Sequence, residues 1–471
     1  MGREKMAVKS EKKKGSEKQN QSQRDKIREK NRKKENKKRN KQIKEKYLSM
    51  VKRREFQIWA VTLILCFFGA IMIYSASSTT CANSEKYNYD SFYYLKRQMI
   101  FILIGLVSMV ILPKLNYTGF WHFTTAGYLV GIGLILWVFA NGEEINGAKR
   151  WFQLGPISFQ VAEPVKVFVI LALACLIQRR YVYVKPRHKI FKNRSAKVIQ
   201  AVDWIRPTII KNNSYFVVLL WVVGAVPAVM LWQLSRDLSS AIVVLGITYL
   251  ITVVCIKSPK LKIFALVCVI AVSLAMVLSI YFNLPSETLI NADTYSFRKA
   301  RIAAWLAPQK YASTKSYQTL QALYAIGSGG IFGKGFGNSV QKKPGFIPEA
   351  HTDMIFSIIC EELGLVGALV IIGLLIYLLY LIYQVAKNSE NVYGSVLAMG
   401  VFFHIGVQSI INIAVNINLF PNTGIPLPFF SYGGTSIVII MAEMGLVMSI
   451  DRYHCLKRAK RLYGEEKEAE K

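Results

Sequence analysis

Runs of about 20 apolar residues recur along the chain, the length of helix that crosses a hydrocarbon core of about 30 Å. They predict ten membrane-spanning helices, at about 57–75, 98–113, 118–140, 159–178, 214–231, 238–256, 262–283, 352–384, 393–417 and 431–450. The expected fold is an all-α polytopic membrane protein, a bundle of about ten transmembrane helices. No internal repeat is visible, which weakens an inverted-repeat transporter interpretation.

Lys and Arg near the ends of the spans predict which loops are cytoplasmic. The N-terminal arm, the connections after the fourth and sixth spans and the C-terminal tail are basic, and an even number of spans puts them all on one face. We therefore expect a bacterial cytoplasmic membrane protein with both termini in the cytoplasm. The bounds predicted are an arm at 1–54, a membrane domain at 55–452 and a tail at 453–471, with a long extracellular loop, 284–351, between the seventh and eighth helices.

The basic arm accounts for about half of the net charge of +32. Its low complexity and polarity predict a mostly disordered or loosely helical segment. Attraction to an anionic inner leaflet and a pure topology signal are equally good interpretations, whereas nucleic acid is not an expected partner. The seven cysteines form no C-x-x-C pair and no metal-ligand cluster.

The stretch PEAHTDMIF, 348–356, crowds Glu349, His351 and Asp353 at the outer end of the eighth predicted span. Ionisable groups at this depth are costly unless they pair or face a wet cavity, so they are functional candidates. Helix capping by Thr352 or Asp353 is the competing explanation. At helical spacing a polar stripe would descend into the membrane along Asp353, Ser357, Glu361 and Gly364.

A second polar group lies around the start of the fourth span. Gln160, Glu163 and Lys166 are three residues apart, which predicts a ladder on one helix with an ion pair between Glu163 and Lys166. A structural bridge and direct substrate contact are both open for this pair. Arg150 stands just outside it as a donor for a phosphate or sugar. Other isolated charges, ambiguous in the same way, are Arg97, Asp237 and Arg301.

The glycine-rich run YAIGSGGIFGKGFGNSVQ, 324–341, is not a P-loop. The glycine and the hydroxyl residue that the P-loop requires are missing around Lys334, and the run is predicted outside, where no ATP pool exists. Its glycines are expected to allow tight backbone turns. NTGIPLPFFSYGG, 422–434, is expected to form a re-entrant or interfacial turn.

These residues resemble the SEDS family of bacterial cell shape, division and sporulation, which includes RodA, FtsW and SpoVE. The similarity runs from about 58 to 452 and rests on NGAKRW, YQTLQALYAIGSGGIFGKGFGNS, PEAHTDMIF with EELGLVG, and PNTGIPLPFFSYGGTS, the last motifs being nearest to FtsW. The resemblance implies a ten-helix bundle that polymerises lipid II into glycan strands. The family's essential aspartate matches Asp353, and its important arginines match Arg97 and Arg150. Glu163 and Lys166 match its glutamate and lysine.

Two departures from the family pattern put local geometry in doubt. The helix-starting proline follows Glu163, and the usual Gln-Pro-Asp-Leu-Gly-Thr reads as LSRDLSS around Asp237.

Asp353 is the expected general base on the acceptor hydroxyl, while Arg97, Arg150 and Lys166 stabilise the departing pyrophosphate. The remaining substrate-binding candidates are Glu163, Asp237, Arg301, Glu349 and His351.

A divalent cation, Mg²⁺ or Mn²⁺, is a candidate cofactor with unknown ligands, and no nucleotide is expected. Glu349 and His351 are open between substrate binding, metal binding and control of the Asp353 proton. Expected partners are lipid II, the growing glycan strand, a class B penicillin-binding protein with transpeptidase activity, and other divisome or elongasome membrane proteins. A lipid II flippase and a non-catalytic scaffold are the alternative functions, and division, elongation and sporulation roles are all open.

Overall fold

The computed structural model describes residues 49–145, 148–154, 157–184, 214–255, 297–312, 316–344, 346–348 and 350–469, with isolated positions at 30, 31, 38, 42 and 45. The chain divides into two compact units, Met1–Glu55 with Arg452–Lys471, and Phe56–Asp451. All of the side chains discussed below belong to the second unit.

Apolar helices form most of the described chain. Eight of the described helices are long and apolar enough to cross a membrane. In chain order the helices are α1 (Ser49–Ala82), α2 (Tyr93–Ile111), α3 (Phe120–Asn141), α4 (Ala162–Val184), α5 (Ser214–Gln233), α6 (Leu238–Cys255), α7 (Phe297–Leu306), α8 (Tyr317–Gly329), α9 (Ile355–Asn388), α10 (Val392–Asn416) and α11 (Gly434–Ala469). Each predicted span within the described ranges contains one of these helices, although the fourth span begins in a strand and the eighth in a turn, and the seventh, 262–283, lies outside the described ranges.

Helices α10 and α11 are the most enclosed members of the bundle. In the most apolar 18-residue stretch of each helix, 83% of α11 and 72% of α10 is buried, whereas only 22% of this stretch is buried in α2 and in α3. Helix α10 packs against α4, α6 and α9. Polar side chains on α10 therefore face other helices, where a buried polar group needs a hydrogen-bond partner.

A small antiparallel sheet interrupts the helical pattern between α3 and α4. Its strands are β1 (Glu143–Ile145), β2 (Ala148–Leu154) and β3 (Ile157–Gln160), in that order. Phe152 faces Phe159 across the β2–β3 pair, with ring centroids 5.1 Å apart. Gln160 pairs with Trp151 in this ladder, so the prediction that Gln160 shares a helix with Glu163 is wrong.

Helix α9 is broken at Gly364, where φ is 68° and ψ is −167°. The glycine-rich run that follows α8 pairs with the backbone of α9 at this break. The amides of Lys334 and Gly335 donate to the carbonyls of Glu361 and Glu362, both at 2.9 Å, and the Leu365 amide donates to the Gly330 carbonyl at 3.0 Å. The predicted uninterrupted helix over 352–384 is therefore wrong. The glycine-rich run makes tight turns, as expected, and it turns against the backbone of α9.

Candidate functional site

Asp353 lies in the turn that precedes α9. The cap position of the helix is Met354 and has no side-chain cap bond, so the capping interpretation is wrong. The main-chain carbonyl of Asp353 accepts hydrogen bonds from Asn412 Nδ2 at 2.8 Å and Asn416 Nδ2 at 3.0 Å. Its side chain is partly exposed and accepts from Thr352 Oγ1 at 3.3 Å. The carboxylate therefore remains accessible while its backbone is held.

The Asp353 carboxylate shares its surroundings with Arg150 from β2. A methyl group on Gly424 would lie 3.8 Å from Asp353 Oδ2 and 3.9 Å from Arg150 Nη1, so both groups border the same space. Arg150 Nε lies 3.8 Å from Asp237 Oδ1, and Arg150 Nη2 donates to the Arg236 carbonyl at 3.4 Å. Arg150 Nε is buried on the Asp237 side, so Nη1, beside Gly424, is the nitrogen that faces the space shared with Asp353.

Arg301 brings α7 to the same group. Its Nη1 donates to the Asn422 carbonyl at 3.3 Å, in the segment that leads to α11. Burial, followed by the charge of Arg150, lowers the pKa of Arg301, while Asp353 and Asp237 oppose this shift. An arginine stays protonated despite such a shift. The structure thus brings together four predicted residues, two carboxylates and two guanidinium groups, that lie far apart in sequence.

Asp237 also has a structural role, because it precedes α6. Its Oδ1 accepts from the Ser240 amide at 3.2 Å and its Oδ2 accepts from Ser240 Oγ at 2.8 Å. This is the bonding of a helix N-cap. The side chain is buried, so the cap and the contact with Arg150 fix its position together.

Arg97 and His351 belong to an aromatic group beside the Asp353 turn. The Arg97 guanidinium lies 4.6 Å from the centre of the Tyr93 ring. The His351 ring contacts Tyr94 in a tilted arrangement, with 4.1 Å between ring centroids, and the His351 carbonyl accepts from the Tyr432 amide at 2.9 Å. Arg97 therefore joins the same aromatic group through Tyr93, which contacts Tyr94. Glu349 lies outside the described residues.

Glu163 and Lys166 form the predicted ion pair, with 2.8 Å between Oε1 and Nζ. Their side chains are 1% and 2% exposed. Lys166 Nζ also donates to Gln408 Oε1 at 3.0 Å, and Gln408 Nε2 donates to the Pro426 carbonyl at 3.1 Å. Of the two open interpretations this geometry favours the structural bridge, which ties α4 to α10 and to the segment before α11.

Glu361 and Glu362 are buried carboxylates at the break in α9, and they do not continue an open stripe below Asp353. Both are hydrogen-bonded to the segment that follows α8. The partners of Glu361 include Lys334, Ser339, Val340 and Gln341, and those of Glu362 include Ser75, Ser339 and Lys342. The stripe prediction is wrong because Asp353 lies in the turn before α9 and the Glu361 carboxylate is enclosed by hydrogen bonds from the segment that follows α8.

The amides of α10 were missed by the sequence analysis. Their signal is a polar residue at every fourth position of an otherwise apolar helix, a spacing that aligns side chains on one face. The residues that share this spacing are His404, Gln408, Asn412 and Asn416. Each is at most 1% exposed. Asn412 and Asn416 are the ones that reach the Asp353 turn.

Few side chains in this site could bind a metal ion. Among the described residues no group of three or more His, Cys, Asp or Glu side chains converges to hold one. Magnesium commonly uses one or two carboxylates and completes its shell with substrate phosphates and water. Asp353 and Asp237, each near Arg150, supply the number of carboxylates that this mode needs and do not make an all-protein metal cage.

The sequence matches one family of known proteins over most of its length. Residues 55–455 match the model of the FtsW/RodA/SpoVE family, described as cell cycle proteins. Proteins named probable peptidoglycan glycosyltransferase FtsW are similar over most of their length. That of Neisseria gonorrhoeae is 34% identical over 84% of this chain and 83% of its own, and that of Coxiella burnetii is 32% identical over 84% and 96%. That of Bacillus subtilis is 29% identical over 86% and 92%.

Solved structures have the same fold. A chain from a study of the structural coordination of polymerization and crosslinking by a peptidoglycan synthase complex matches with a TM-score of 0.62, at 23% identity over 85% of this chain and 98% of that one. The rod shape determining protein RodA of Thermus thermophilus matches with a TM-score of 0.52, at 24% identity over 84% and 95%. The expected membrane bundle of about ten helices is thus confirmed, and the chain belongs to the SEDS family of FtsW, RodA and SpoVE.

Proposed function

We propose that this protein is a peptidoglycan glycosyltransferase that polymerises lipid II at the outer face of the bacterial cytoplasmic membrane. The observation that carries the proposal is the convergence of the Asp353 carboxylate with the Arg150 and Arg301 guanidinium groups. A glycosyl transfer with a pyrophosphate leaving group needs a base for the acceptor and positive charge for the departing anion. The names of the relatives agree with this chemistry.

In this mechanism the Asp353 carboxylate takes the proton of the acceptor sugar hydroxyl. The hydroxyl oxygen attacks the anomeric carbon of the donor, a new glycosidic bond forms, and the bond from that carbon to the pyrophosphate oxygen breaks. Undecaprenyl-type pyrophosphate leaves with the electron pair, and the proton remains on Asp353 until solvent removes it. The partial exposure of the Asp353 side chain gives the acceptor and solvent access to it.

Arg150 and Arg301 are the cations that stabilise the leaving pyrophosphate. Arg150 Nη1 borders the space beside Gly424 and Asp353, so a ligand oxygen there can accept from it while Nε faces Asp237. Arg97, which lies over the Tyr93 ring in the aromatic group beside the Asp353 turn, is a further cation for the pyrophosphate at that edge. Lys166 is buried by its own partners and acts through structure.

A divalent cation, Mg²⁺ or Mn²⁺, would be held by Asp353 and Asp237 together with substrate phosphates, and it would neutralise charge on the pyrophosphate. His351 is assigned to positioning, since its ring contacts Tyr94 beside the turn. The expected orientation has both termini in the cytoplasm, supported by the basic connections on one face.

A class B penicillin-binding protein is the proposed partner, supported by the fold shared with a chain of a peptidoglycan synthase complex. The FtsW names of the relatives favour a role in septal synthesis over elongation or sporulation.

The test uses the full-length protein in proteoliposomes containing fluorescent lipid II, with and without Mg²⁺ or Mn²⁺ and with a class B partner. Glycan polymer and transbilayer movement of lipid II are measured in the same vesicles for the wild type, Asp353→Asn and Asp90→Asn. Asp90 is an acidic control outside the site, paired with Lys96 at 2.7 Å.

Polymer should form with the wild type and Asp90→Asn and fall at least about 100-fold with Asp353→Asn. Lipid II movement without polymer would identify a flippase and overturn the proposal. Equal polymer from Asp353→Asn would remove the proposed base.

A further inference from the structure

The Asp353 turn is held by two amide side chains from a different helix. Asn412 and Asn416 on α10 both donate to the Asp353 main-chain carbonyl, at 2.8 and 3.0 Å. The same Asn416 accepts through Oδ1 from the Ser357 amide at 3.1 Å, an amide in the first turn of α9 that also donates to the Met354 carbonyl at 3.1 Å. One helix thus supplies three hydrogen bonds to the segment that carries the carboxylate.

Asn412 joins this turn to the opposite wall of the site. Besides Asp353, its Nδ2 donates to the Ile425 carbonyl at 2.8 Å. Ile425 follows Gly424, the residue next to Asp353 Oδ2 and Arg150 Nη1. The two protons of one amide therefore set the spacing between the carboxylate segment and the segment that borders Arg150.

The side-chain amides of Asn412 and Asn416 are buried, so water cannot replace a hydrogen-bond partner that they lose. Asn412 is 1% exposed and Asn416 is 0% exposed. A buried donor whose acceptor is lost bears a desolvation cost, so the arrangement resists local displacement of the turn. Reactions that depend on oriented groups are sensitive to shifts of about 1 Å, even when the shifting residue touches no substrate.

We infer that Asn412 is a positioning residue for the transfer reaction, with Asn416 as its partner, because it fixes the Asp353 turn against the Ile425 segment. This inference rests on the proposed function. It assigns no contact with substrate to either asparagine. It therefore predicts that turnover falls while substrate affinity is preserved in variants that remain folded. A general loss of stability would instead reduce the amount of folded protein.

The experiment compares full-length wild type, Asn412→Ala, Asn412→Asp and Ser409→Ala in lipid II polymerisation, with kcat and KM measured separately. Ser409 is a buried α10 residue whose hydroxyl has no hydrogen-bond partner, so it is the matched control. Thermal unfolding of each variant sets a temperature at which all are folded. Asn412→Asp keeps the volume and replaces a donor by an acceptor that faces two carbonyl oxygens.

Asn412→Ala should lower kcat about 10- to 100-fold with KM within about twofold of wild type, and Asn412→Asp should lower it at least as much. Ser409→Ala should retain wild-type kcat. Wild-type kcat in either folded Asn412 variant, or a smaller loss in Asn412→Asp than in Asn412→Ala, would overturn the positioning role and indicate packing alone. Asp353→Asn, run in parallel, reports separately on the proposed function, because an active Asp353→Asn would refute that function whatever Asn412 does.

Discussion

Lys342 closes a buried ionic clamp between α1, the segment that follows α8 and the break in α9, and its removal should loosen the segment that leads to Asp353. Lys342 Nζ lies 3.0 Å from Glu362 Oε1 and donates to Ser75 Oγ at 3.0 Å. The two charged side chains are 5% and 0% exposed. Lys342→Met would leave the Glu362 carboxylate buried without its countercharge.

Breaking a buried ion pair from one side costs about 3–5 kcal/mol. Here Ser75 Oγ still donates to Glu362 at 2.6 Å, and the Ser339 amide remains within 3.4 Å, so the lower end, about 3 kcal/mol, applies. At about 1.4 kcal/mol per tenfold change, local opening should become roughly 100-fold more frequent.

Hydrogen exchange measures this opening at the amides that join the loop to α9. Gly335 and Leu365 are the reporters, since their amides donate to Glu362 and Gly330. Lys342→Met should accelerate their exchange roughly 100-fold, and Lys342→Met with Glu362→Gln should restore most of the protection because no unpaired charge remains. The exposed neighbour gives the control Lys343→Met. Unchanged protection in Lys342→Met, or a double variant as unprotected as the single one, would refute the clamp.

Two further perturbations test the buried framework. Gly364→Ala should abolish folded protein, because its φ is 68° and a Cβ would lie 2.3 Å from Gly333 N, whereas Gly373→Ala, with open space around it, should be purified at wild-type yield. A folded Gly364→Ala variant would contradict the helix break. Lys166→Met should destabilise the protein by about 3–5 kcal/mol in thermal or denaturant unfolding, and Lys166→Met with Glu163→Gln should recover most of that loss. Equal stability of wild type and Lys166→Met would show that the pair contributes little.

The order and type of the helices were readable from sequence because apolar length alone specifies a spanning helix. The ion pair between Glu163 and Lys166 was also predictable, since three-residue spacing brings side chains together within one helix. The break at Gly364 was not, because the apolar pattern continues on both sides of it. What decides the break is the pairing of the α9 backbone with a glycine-rich segment about 30 residues earlier in the chain.

The composition of the candidate site was partly predictable and its geometry was not. The family resemblance selected Asp353, Arg97 and Arg150, yet nothing local places Arg150 beside Gly424 and Asp353. That proximity depends on how the β2–β3 hairpin folds over the bundle. Gln160 was assigned to a helix because three-residue spacing does not distinguish the end of a strand from the start of a helix.

Whether Asp353 performs chemistry or only binds substrate is the central question, and one measurement separates the two. Wild type and Asp353→Asn are given saturating lipid II, and bound lipid II and glycan product are quantified in the same samples. The account predicts binding within about threefold of wild type and product reduced at least about 100-fold, because the amide keeps the shape of the side chain and cannot accept the proton. Glycan product at the wild-type rate from Asp353→Asn would contradict it.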